Sequence, residues 1–109
     1  MELRPKGEID LFKALALIET VEEARNFLTD LCTPAEIRTF SERWRVCQCL
    51  ARGDLSYRQI KDRTGASLTT IGRVARFLNE EKYGGYKVIL KKVDRNDATN
   101  ESTLKVSLF

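Results

Sequence analysis

The sequence predicts an all-α protein. Three observations carry that expectation: apolar residues recur at alternating three- and four-residue steps over most of the first 80 positions, helix-start signatures recur between the stripes, and glycines stand where helices should stop. At 109 residues and 12.5 kDa the chain has the length of one domain. Its 42% apolar and 32% charged residues are those of an ordinary globular protein.

From Ile9 to Ile18 the stripe Leu11, Leu15, Ile18, with Phe12 beside it, predicts a first helix. Thr20 and Glu23 form a capping box that opens a second, with Val21, Ala24, Leu28 and Leu31 along a seam. Thr33-Pro34-Ala35-Glu36 is the clearest start signal. Threonine caps, proline takes the first helical position and glutamate closes the box. The helix it opens carries Ile37, Phe40, Trp44, Cys47 and Ala51, and Gly53 stops it. Ser56 with Gln59 opens a short helix, Tyr57 to Thr64, closed by Gly65. Ser67 caps the next, whose apolar side holds Leu68, Ile71, Val74, Ala75 and Leu78 and which ends before Gly84-Gly85. The run 86–90 fits a short helix or a strand, since periodicity cannot decide so brief a segment. Residues 1–93 form the expected domain and 94–109 a mobile tail, in which 104–108 alternates as a short strand would.

Composition removes several functions. The chain has no histidine, which excludes Ser-His-Asp and Cys-His catalysis and His-type metal sites. No glycine-rich phosphate loop follows a strand, and no isolated carboxylate pair sits in an apolar setting, so neither an enzyme nor a resident cofactor is expected. Three cysteines, Cys32, Cys47 and Cys49, fit free thiols in a reducing cytoplasm. Cys47 and Cys49 point to opposite faces of a helix and cannot chelate together. No apolar run approaches the ~18 residues of a membrane helix.

Net charge is only +3, but it is unevenly spread. Residues 1–31 hold seven acids against four bases, whereas 52–76 hold six bases against two acids. A short helix, a glycine turn and a second amphipathic helix within that basic segment is the helix-turn-helix pattern. A helix fits the major groove of double-stranded DNA, and the start of the second helix reads base edges. Ser67, Thr69 and Thr70 open that helix; Thr69, Arg73 and Arg76 share its outer face, while Leu68, Ile71, Val74 and Leu78 are expected inward. Gly72 costs about 1 kcal/mol relative to alanine in a helix interior, which points to a close approach by a phosphate or another helix. Arg58, Lys61 and Arg63 on the first helix suit phosphate contacts. The same basic face also fits an acidic protein partner, the alternative to DNA.

The motifs Thr33-Pro34-Ala35-Glu36, Arg43-Trp44-Arg45-Val46, the run 50–61 (Leu50-Ala51-Arg52-Gly53-Asp54 onward) and Thr64-Gly65-Ala66-Ser67-Leu68-Thr69-Thr70-Ile71-Gly72-Arg73, with Gly84 to Tyr86, resemble the Trp repressor family. The resemblance is nearest to its YerC/YecD branch and covers about residues 9–92. It implies an intertwined homodimer projecting two helix-turn-helix heads toward half-sites about 34 Å apart. It also implies that Arg58, Lys61, Leu68, Thr69, Thr70 and Gly72 approach an operator as parts of a transcriptional repressor. The family's founding member takes tryptophan between two arginines, near a threonine and beside a glycine. Arg43, Arg73 and Thr33 match those positions. Val74 replaces the glycine and Phe77 a serine, so tryptophan is not expected to bind. A different anionic effector, or release of Arg73 to DNA, remains open to these residues.

Overall fold

The computed structural model describes residues 7–95, and those residues are helical wherever they are regular. The helices are α1 (Leu11–Ala16), α2 (Val21–Leu31), α3 (Pro34–Arg52), α4 (Tyr57–Thr64), α5 (Leu68–Asn79) and α6, helical over 85–95. The chain divides into two compact units at Arg38/Thr39.

In the first unit each helix starts on a side-chain cap. Asp10 accepts from the Lys13 N–H at 2.8 Å and Thr20 from the Glu23 N–H at 3.0 Å. Thr33 and Glu36 satisfy one another's backbone N–H groups at 3.1 and 2.8 Å. The Thr33 backbone N–H, and after it the Thr33 hydroxyl, hold the Glu36 carboxyl below its usual range. Neither α1 nor α2 has a buried residue. α1 is shorter than the run from Ile9 to Ile18 suggests, because Asp10 caps it and Leu17 ends it.

The core lies in the second unit. Val46 and Cys47 of α3, Ile60 of α4, Ala66 of the turn, and Ile71, Val74 and Leu78 of α5 are buried together. Fully burying an aliphatic side chain contributes roughly 1.5–3 kcal/mol, so Ile60, Ile71, Val46 and Val74 hold this unit. Trp44, Leu50, Tyr86 and Leu90 pack around them, with the Trp44 and Tyr86 rings stacked at 6.5 Å between centroids.

Several expectations are corrected here. The ambiguous run 86–90 is helix, inside α6. Asp94 and Arg95, expected in a tail, are its last described residues, and 96–109, with the alternating run 104–108, lie outside the described residues. On α3 Val46, which the three-four stripe omits, is fully buried beside Cys47, whereas Ala51 is exposed. The 3.6-residue period rotates a strict stripe off the core over five turns.

Candidate nucleic-acid interface

α4 and α5 meet at a corner built by short-range chemistry. Ser56 caps α4 in a two-way box: its hydroxyl accepts from the Gln59 N–H at 3.1 Å, and its own N–H donates to the Gln59 side chain at 2.8 Å. Gly65 ends α4 at φ 77°, a left-handed conformation that costs a side-chain-bearing residue about 1–2 kcal/mol. The buried Thr64 hydroxyl donates to the Ile60 carbonyl at 2.7 Å and accepts from the Ala66 N–H at 3.1 Å. One hydroxyl therefore closes the last turn of α4 and ties down the first step of the turn. Ser67 then caps α5, accepting from the Thr70 N–H at 3.1 Å and donating to the Thr70 hydroxyl at 3.1 Å. Ile60, Ile71, Val74 and Leu78 clamp the two helices from beneath.

This corner leaves one face of α5 outward. Thr69, Gly72, Arg73 and Arg76 are exposed, and Thr70 is half-buried at the edge. Arg58 and Lys61 are exposed on α4. Leu68 departs from the expectation that it turns inward: it is 54% exposed. Ala66, not Leu68, is the buried residue at that end of α5. A Cβ built on Gly72 would meet nothing within 4 Å. Packing within the chain therefore does not require glycine there.

The two arginines of α5 share a support that reading the outer face alone misses. Phe77 is half-buried between them, with the Arg73 guanidinium 4.7 Å and that of Arg76 5.1 Å from its ring centroid. Such contacts contribute about 0.5–1 kcal/mol at exposed sites. Arg76 also pairs with Glu81 at 3.5 Å. Both cations are thus restrained on the outer face. The spacing of Arg73, Arg76 and Phe77 at positions i, i+3 and i+4 is the signal that marks them as neighbours.

The three positions matched to an effector site are divided. Thr33 lies in the first unit, where its hydroxyl serves as the α3 cap. Arg43 and Arg73 lie in the second. Both bear on Tyr86 of α6: burial, and then the neighbouring Cys47 thiol, push its hydroxyl up, and Arg43 and Arg73 pull it the other way. Arg43 also lies 6.0 Å from the Phe40 ring. Val74 is 1% exposed, so its isopropyl group is part of the core. Arg63, grouped by charge with Arg58 and Lys61, instead lines a cleft with Arg45 and Arg52. Among the described residues no group of three or more Cys, Asp or Glu is placed to hold a metal ion, and no helix is long and apolar enough to cross a membrane.

Residues 9–94 match the family of the Trp repressor protein. The chain is 36% identical over 103 residues to YerC of Bacillus subtilis, covering 93% of this chain and 95% of that one. Similar solved structures include two from other bacteria. One is a TrpR-like protein from Eubacterium eligens, 37% identical with a TM-score of 0.71 over 77% of this chain and 84% of the other. The second is a protein of Staphylococcus aureus assigned as a Trp repressor, 36% identical with a TM-score of 0.70 over 77% and 82%.

Proposed function

Because the chain belongs to the Trp repressor family, we propose that it is a sequence-specific regulator of transcription, a repressor that binds double-stranded DNA as a homodimer through residues 56–80. The observation that carries this reading is the outward face of α5, where Thr69, Arg73 and Arg76 stand exposed beside the open surface of Gly72 on a corner fixed by Thr64 and Gly65.

The start of α5 enters the major groove. Ser67, Thr69 and Thr70 offer short polar groups to base edges, and Leu68 offers an apolar one suited to a thymine methyl. Arg73 and Arg76, steadied on Phe77, and Arg58 and Lys61 take phosphates, which set affinity and register. Gly72 lets the backbone lie close to the duplex. Self-association is supported by the apolar side chains left outside, among them Phe12 at 80% and Val21 at 74% exposure. A second copy covers them and sets the two heads about one helical turn of DNA apart.

Tryptophan is not the effector in this reading. Val74 occupies the place of the glycine that admits the indole ring, and Phe77 already presents a ring to Arg73. Calorimetric titration with tryptophan should give no heat of binding, and micromolar affinity would overturn the exclusion. The protein is not read as an enzyme, and the cytoplasm, where its DNA lies and free thiols persist, is its proposed location.

Selection of bound duplexes from a random pool tests the main reading. An enriched palindrome is expected. Arg58→Ala and Lys61→Ala should each weaken binding and reduce the salt slope by about one. Failure to enrich any sequence would favour docking of a protein on the same face, the reading that exposed Leu68 and Tyr57 support.

A further inference from the structure

A second gathering of positive charge lies apart from the outer face of α5. A cleft of about 490 Å³ opens in the second unit between the C-terminal half of α3, the end of α4 and α6. Arg45 and Arg52 of α3 and Arg63 of α4 line it, over an apolar floor of Cys49, Leu90 and Val93. Gathering three guanidinium groups in one concavity is unfavourable unless anions offset them. Arg52 has such a partner in Asp54 at 3.0 Å, and Asp94 is the one carboxylate of the lining. Among the described residues neither Arg45 nor Arg63 makes an ion pair.

Arg45 is positioned as well as charged. Its Nη2 donates to the Arg63 carbonyl at 3.1 Å, which ties α3 to α4. A guanidinium has five N–H donors in a fixed fork, so one bond leaves the others to an incoming anion. The fork matches the two oxygens of a carboxylate or phosphate. The volume falls within the ~300–1,000 Å³ usual for small-molecule sites, and an apolar floor with a few convergent polar groups is their usual lining.

We propose that this cleft binds a small organic acid, its carboxylate or phosphate held by Arg45 and Arg63 and its apolar body laid on Cys49, Leu90 and Val93. None of these residues is among Thr33, Arg43 and Arg73, so the site is separate from the one the family resemblance marks. Its ligand would bridge the supporting helices α3 and α6 to α4, the first helix of the DNA-binding corner. Binding is read without DNA, so its failure and that of the operator reading are distinct.

The test is a titration of the full chain with benzoate and with phenyl phosphate, followed by ¹H–¹⁵N NMR of the arginine side chains and backbone. Benzyl alcohol and inorganic phosphate serve as the apolar and anionic halves alone. Saturable shifts at Arg45, Arg63, Cys49 and Leu90 are expected for at least one of the two acids, and the tighter acid identifies the head group. Each half alone should bind about ten-fold more weakly or worse. Arg63→Gln keeps the backbone carbonyl that Arg45 grips, so it should leave the thermal midpoint in place and weaken the acid about ten-fold. Equal binding of benzyl alcohol, an unchanged affinity in Arg63→Gln, or shifts centred on Arg43 and Arg73 would overturn the proposal. So would no saturation by either acid, the result if a second copy closes the cleft.

Discussion

α2 and α5 are nearly equal in length, at eleven and twelve residues, and each carries an apolar stripe. α5 buries Ile71, Val74 and Leu78, whereas α2 buries nothing. The stripes look alike in the sequence because amphipathicity records only that a face is to be covered. What covers it is a tertiary fact. For α5 the cover includes α4, eight residues that a two-way cap and a left-handed glycine set across it. For α2 the proposed cover is a second molecule.

The contrast can be broken at its strongest point first. Ile71→Ala opens a cavity in the core and should cost about 2–5 kcal/mol by urea denaturation. Val21→Ser should leave that core intact and instead weaken self-association, seen as a concentration-dependent midpoint that falls. Equal losses of core stability from both would show that the two stripes are covered alike.

Next comes pH. Burial pushes the Cys47 thiol from 9.0 up to about 11. Below pH 9 the thiol is protonated folded or unfolded. Between pH 9 and 11 only the unfolded chain loses the proton, so stability should fall with rising pH by roughly 2 kcal/mol. Tyr86, also raised, acts in the same direction. Cys47→Ala should flatten the decline in a series of denaturation curves, and an unchanged slope would place its cause elsewhere.

Thr64→Val probes the corner. It strips the Ala66 N–H of its buried partner and should cost about 1–3 kcal/mol. Gly72→Ala has the smallest effect on the fold and sharpens the comparison most. Open space around its Cβ and better helix propensity should raise stability by about 0.5–1 kcal/mol. DNA affinity should fall in the same variant, because the new methyl group projects toward the duplex. A gain in stability with unchanged DNA affinity would remove Gly72 from the interface.

Much of this was legible because caps are local. Thr20, Thr33, Ser56 and Ser67 act within three residues of themselves, and Gly65 within its own backbone, so the start and end of α4 follow from spacing alone. Leu68 escapes the periodic pattern because an apolar residue in a first turn has no preceding turn of its own helix to lean on, and Ala66 closes that end of the core. Residues 86–90 were undecided because their helix is evident only with 91–95 included. The outward threonines and arginines of α5 could be placed from the helical period, whereas the Phe77 contacts depend on rotamers and the Arg45–Arg63 tie on two helices bringing together residues 18 apart in the chain.

Trp44 is the chain's single indole, and its stacking partner Tyr86 belongs to α6. Fluorescence of the unlabelled protein therefore watches one joint, the seating of α6 on α3. Quenching by acrylamide would report how often that joint opens in solution, with no dye and no engineered probe.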